Sequence, residues 1–205
     1  MIWLPSNTPY GNLLLKGSNI VRRLDRVNLE IRRVFDSFVH PSAEDISNPL
    51  QDILEHQFYA EQVVYWLRKT ADELISLAYV IDEWNRTGGW PKSVKIDCID
   101  GLKGSCSEQL QHLFRPHESF LFSLNEVANA FKHSFINTDM TVAGTEYPVV
   151  FALSLKRNKL SEPAVFHSVS FAEMVTSFSR LYKECSTTIQ QWARSGEAKH
   201  KKPST

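Results

Sequence analysis

The sequence predicts a mainly α fold, an up-down helical bundle of four to five helices with a small inserted β-hairpin. Three observations carry that expectation. Apolar residues recur at three- and four-residue steps over several long stretches, the period of a helix with one buried face. Proline and glycine fall at the ends of those stretches, where a helix must stop or start. Over about residues 147–170 the period changes, giving two short runs rich in β-branched and aromatic residues.

A first helix is expected from Ser18, after Gly17, to about His40, because Ile20, Leu24, Val27, Ile31, Val34, Phe35 and Phe38 share one face. Pro41 stops it, since the residue before a proline is pushed out of helical conformation. Asn48-Pro49 is the next start, an amide N-cap followed by proline at the first helical position. This long helix runs to about Arg86, with any break near Glu55, and ends at Thr87-Gly88-Gly89. VKIDCID reads as a short strand or an extended lead-in, and SEQLQHLF as a short helix ending at Pro116. The next helix spans about His117 to Ile136. YPVVFALSL and PAVFHSVSF, joined by the turn-like KRNKLSE, form the hairpin. Ser170 and Glu173 have capping-box spacing and open a last helix through about Ala193. One helical domain is therefore expected over residues 1–195, followed by a disordered polar tail over 196–205.

Composition narrows the function. Lys+Arg and Asp+Glu both number 23, so the chain lacks the positive excess that drives non-specific binding to nucleic acid or acidic membranes. Cys98, Cys106 and Cys185 are three in number without CxxC spacing, which fits reduced thiols in a cytoplasmic protein. The N-terminus has no basic cluster before an apolar run, and no stretch reaches the 18 or so apolar residues of a membrane span, so neither a signal peptide nor membrane insertion is expected. Cys98, Cys106, His112 and His117 lack the close ligand pair of a zinc site, so no metal is expected, and nothing marks a cofactor site.

The helix FLFSLNEVANAFKHSFIN carries the sharpest signal. Phe120, Leu121, Leu124, Val127, Ala128, Phe131 and Phe135 make its core face. Glu118, Asn125, Asn129, Lys132 and Ile136 form a second, tilted line, with Phe122 and His133 beside it. The apolar members of that line imply that it is at least half buried. On the long helix, Val63, Leu67, Leu74, Ala78 and Ile81 face the core, while Glu61, Arg68, Asp72 and Tyr79 line up alongside. A network joining Arg68 and Asp72 to Asn125, Asn129, Lys132 or His133 is expected, because buried amides and charges need partners. Such a network either fixes helix register or holds an anion beside a proton-transferring His133. Residue types alone favour the first, since a lone helical histidine is more often structural. The long helix is aromatic on most sides, through Tyr59, Tyr65, Trp66, Tyr79 and Trp84 with Trp90 just beyond, which suits homodimerisation.

Asn129 followed by Lys132-His133 late in a bundle helix, after a long helix containing LRKTADELISL, resembles the HEPN superfamily. That resemblance implies a small, often dimeric helical bundle. Many members are RNases of toxin–antitoxin and phage-defence systems, in which an Arg and a His from two subunits line an RNA-cutting cleft. The family separates that Arg from its His by four to six residues, and here those positions hold Glu126, Val127 and Ala128. Arg33 and His40 have the literal spacing but lie on the first helix beside Pro41, a coincidence of sequence. Members without the full motif look like non-catalytic interaction or regulatory partners, and the resemblance implies that role first. The alternative it implies is a metal-independent RNase or nucleotide-handling enzyme using His133, with Asn129, Lys132 and Arg68. The expected partners are a second copy or another helical protein, with RNA as a further ligand.

Overall fold

The computed structural model describes residues 3–38, 49–134, 145–155, 158–159 and 161–200, and it is mainly α with one antiparallel hairpin. The helices are α1 (Leu13–Asp36), α2 (Pro49–Thr87), α3 (Glu108–Phe114), α4 (Glu118–His133) and α5 (Phe171–His200). The strands are β1 (Val149–Ser154) and β2 (Val165–Ser170). The chain divides into two compact units. Unit 1 comprises Met1–Leu24, Lys69–Leu121 and Ser179–Thr205, and unit 2 comprises Asp25–Arg68 and Phe122–Phe178. In chain order α1, α2, α4 and α5 each have residues in both units.

α1 starts five residues before the expected Ser18. The side-chain oxygen of Asn12 accepts from the Leu15 amide at 2.9 Å, so Asn12 caps this helix and Gly17 lies inside it. Gly17 reads as a breaker in sequence but serves close packing: a Cβ there would meet the Leu4 side chain at 3.1 Å. Phe35, expected on the buried face, is 45% exposed. α2 is unbroken through Glu55 and ends before Gly88, whose φ of +74° is a left-handed stop that a glycine adopts without strain. Its expected core residues Val63, Leu67, Leu74, Ala78 and Ile81 are all buried. The expected stops and starts at His40, Pro41 and Asn48, and the positions of Phe135 and Ile136, lie outside the described residues.

VKIDCID forms no strand; it leads into a 3-10 turn at Ile99–Lys103, with Ile96 and Ile99 buried. Ser107 caps α3 by accepting from the Leu110 amide at 3.2 Å. Pro116 does not end a helical path but sits in a 3-10 turn, Arg115–His117, that feeds α4 directly. The hairpin register pairs Val149 with Ser170 and Ser154 with Val165, and Phe151 stacks on Phe166 with centroids 5.6 Å apart. The Ser170 hydroxyl accepts from the Glu173 amide at 3.4 Å, the backbone half of the expected capping box.

α5 corrects the sequence reading. It continues past Ala193 to His200, so residues 196–200, expected in a polar tail, are helical; residues 201–205 lie outside the described residues. Trp84 explains the extension. It stacks on Trp90 at 4.8 Å, and its ring leaves no room for a Cβ at Gly196, which would come within 2.8 Å. Lys199 Nζ donates to Asn85 Oδ1 at 3.2 Å, and the His200 ring lies against Trp84 at 6.2 Å.

Candidate functional site

Members of the expected polar network are engaged in both units. In unit 2, Arg68 Nη2 donates to Asn125 Oδ1 at 3.0 Å, and Asn125 is only 2% exposed. This charge-assisted bond between α2 and α4 satisfies a buried amide oxygen and is worth about 1.5–3 kcal/mol. In unit 1, Asp72 Oδ1 accepts from the Ile99 amide at 3.0 Å and so holds the 3-10 turn that follows α2. Asn129 is half-buried, whereas Glu118, Lys132 and His133 are exposed.

The second line of α4 is therefore not the half-buried stripe expected. Phe122 is 54% exposed, and Asn125 is the fully buried member among the described residues. The helix ends account for its charges. Glu118 occupies the first turn of α4 and Lys132 and His133 the last, where each sign is favoured by the helix dipole without burial. The His133 carbonyl accepts from Asn158 Nδ2 at 2.8 Å, which satisfies one of the backbone acceptors a helix C-terminus leaves open. Asn158 reaches it from a left-handed conformation, φ 52°, that asparagine tolerates.

On α2, expected to pair through its aromatic residues, Leu54 and Phe58 join Tyr65 on the exposed surface. Leu54, Phe58 and Tyr65 are 51%, 57% and 53% exposed. With Glu61 they follow a four-three-four spacing, the seam of a helix that packs against another helix. Glu61 is half-buried on this line, and burial pushes its carboxyl above the usual range. Tyr59, beside the line, carries the Arg33 guanidinium over its ring at 5.8 Å. The spacing was visible in sequence; the exposure was not.

Elsewhere, His117 is buried and its Nε2 meets Glu184 Oε2 at 2.7 Å. Cys185 is fully buried, and its thiol is pushed up to about 12 by burial and by the neighbouring Glu184 charge. Cys98 and Cys106 are half-buried free thiols, and His112 is exposed. Among the described residues no group of three or more His, Cys, Asp or Glu side chains is placed to hold a metal ion, and no helix is long and apolar enough to cross a membrane. Comparison with protein-family models, curated proteins and solved structures gives no match for this chain.

Proposed function

We propose that the chain is a non-catalytic, HEPN-like interaction or regulatory protein that pairs through α2 with a second copy of itself. The observation that carries this reading is the exposed line of Leu54, Phe58, Glu61 and Tyr65. Laid antiparallel on a second copy about a two-fold axis between residues 59 and 60, the line is self-complementary. Leu54 then meets Tyr65 of the second copy and the Phe58 ring covers its Glu61, whose carboxyl burial already disfavours as an anion, while the two Glu61 carboxyls stay apart. The Arg68–Asn125 bond supports a structural role for the α4 amide line, because the guanidinium is engaged in the protein interior.

The alternative is an HEPN-like RNase of a toxin–antitoxin or defence system using His133. One observation favours it: Lys132 and His133 are exposed together, as a site completed by a second subunit would require. Sedimentation of the wild type and Phe58→Glu tests the dimer, and cleavage of a mixed RNA pool by the wild type and His133→Ala tests the alternative. The proposal expects a dimer that Phe58→Glu dissociates and no RNA cleavage; His133-dependent cleavage contradicts it.

A further inference from the structure

Unit 1 contains a cleft of about 350 Å³ that the α2 and α4 lines do not touch. Small-molecule pockets occupy roughly 300–1,000 Å³, so its size suits a compact ligand. Its floor is apolar: Leu13 and Ile20 from α1 and Leu77 and Val80 from α2 are each at most 8% exposed. Its lining also includes Arg23 and Glu73, held by two parallel bonds, Nη1–Oε2 at 2.7 Å and Nη2–Oε1 at 3.0 Å. Such a bidentate pair is mutually neutralised and geometrically fixed. Asn19 and Lys16, one and two turns N-terminal to Arg23 on α1, also line the cleft and are exposed.

The charge balance is one-sided. Lys16 and Arg23 face a single carboxylate, Glu73, among the lining residues, and Lys16 has no ion-pair partner among the described residues. A cation beside an apolar floor favours an anion carrying an apolar body, with the ammonium binding the charge and the floor the body. Asn19 supplies an amide donor next to that charge. We infer that this cleft binds a small amphipathic carboxylate, its acid group on Lys16 and Asn19 and its apolar body over Leu13, Ile20, Leu77 and Val80. This site is independent of the pairing proposed for α2.

Isothermal titration of the full chain with 4-phenylbutyrate and with its neutral amide tests the site. The carboxylate is expected to bind about tenfold more tightly than the amide. Lys16→Gln is expected to erase that preference while leaving amide binding unchanged. Asn19→Trp, which fills the rim from an exposed position, is expected to weaken both ligands about tenfold. Both substitutions lie on the exposed side of α1, so thermal melting should match the wild type. The site is refuted if the two ligands bind equally, if neither binds at millimolar concentration, or if Lys16→Gln leaves the carboxylate preference intact.

Discussion

The two units both bury polar groups but differ in how much apolar surface they leave exposed. Unit 1 takes polar groups inside and partners them. Asp82, 0% exposed, accepts from Ser107 Oγ at 2.8 Å and from Arg86 Nε at 3.1 Å; His117 meets Glu184; Asn85 accepts from Lys199. Unit 2 also leaves apolar groups outside. Of the large hydrophobic residues exposed among the described residues, only Leu15 and Val21 belong to unit 1, while nine, including Phe58, Tyr65, Phe122 and Phe166, belong to unit 2. Scattered exposed apolar residues need no explanation; Leu54, Phe58 and Tyr65 differ in being aligned on one helix, and on that alignment the proposed pairing rests. Buried polar bonds occur in both units, and the exposed apolar groups are concentrated in unit 2.

The comparison can be broken most sharply in the unit 2 core. Phe171 is fully buried and meets Phe35 edge-on at 5.6 Å, so Phe171→Ala should cost about 3–5 kcal/mol by chemical denaturation. Phe58→Ala and Tyr65→Ala, made on the exposed line, should change monomer stability by less than about 0.5 kcal/mol. Equal costs at the two kinds of site would mean that the exposed line is part of the unit's own core. In unit 1, Asp82→Ala removes the acceptor that Ser107 and Arg86 share and should cost about 1–3 kcal/mol, seen as a lower denaturation midpoint. Asp82 also carries a buried oxygen, Oδ1, with no hydrogen-bond partner among the described residues, so part of that cost should be offset.

Within unit 2, a carboxylate and a histidine respond to pH in opposite senses. Glu61 in unit 2 is held above its usual range by burial, so its proton is bound more tightly in the fold. Its contribution is fully present at acid pH and is lost as pH rises through the folded value. Glu61→Gln should therefore flatten the fall in melting temperature as pH rises above about 4.5, and should tighten self-association near neutrality. His56 behaves in the opposite sense. Burial lowers its pKa, only partly offset by its bond to the Val34 carbonyl at 3.0 Å, so stability should fall as pH drops below about 6.5. His56→Gln should remove that acid limb. His133 is exposed, and His133→Ala should change stability by less than about 0.5 kcal/mol. The smallest effect concerns thiols: a thiolate-directed reagent should label Cys98 and Cys106 in the native protein and spare Cys185 until unfolding, read by intact mass.

The elements were legible because their signals are local. Helical period placed α1, α2, α4 and α5, a change of period placed the hairpin, and Gly88 marked the end of α2. The misreadings arose where tertiary packing overrules local chemistry. Gly17 looks like a break but makes room for Leu4, and Gly196 looks like a tail but makes room for Trp84. At the candidate site the pairing of Arg68 with Asn125 followed from matching polar lines on two helices. Which face of α4 meets solvent did not follow, because Phe122 carries the same apolar label whether covered or exposed. The cleft beside Lys16 gave no sequence signal either: Arg23 and Glu73 stand fifty positions apart, and only the fold brings them together.

Sedimentation equilibrium of the wild type and Phe58→Glu, over a tenfold or wider range of protein concentration, tests the central claim most directly. The wild type is expected to reach twice the chain mass, and Phe58→Glu to stay at the chain mass with an unchanged melting temperature. A wild type that remains monomeric throughout, or a Phe58→Glu variant that still dimerises, contradicts that claim.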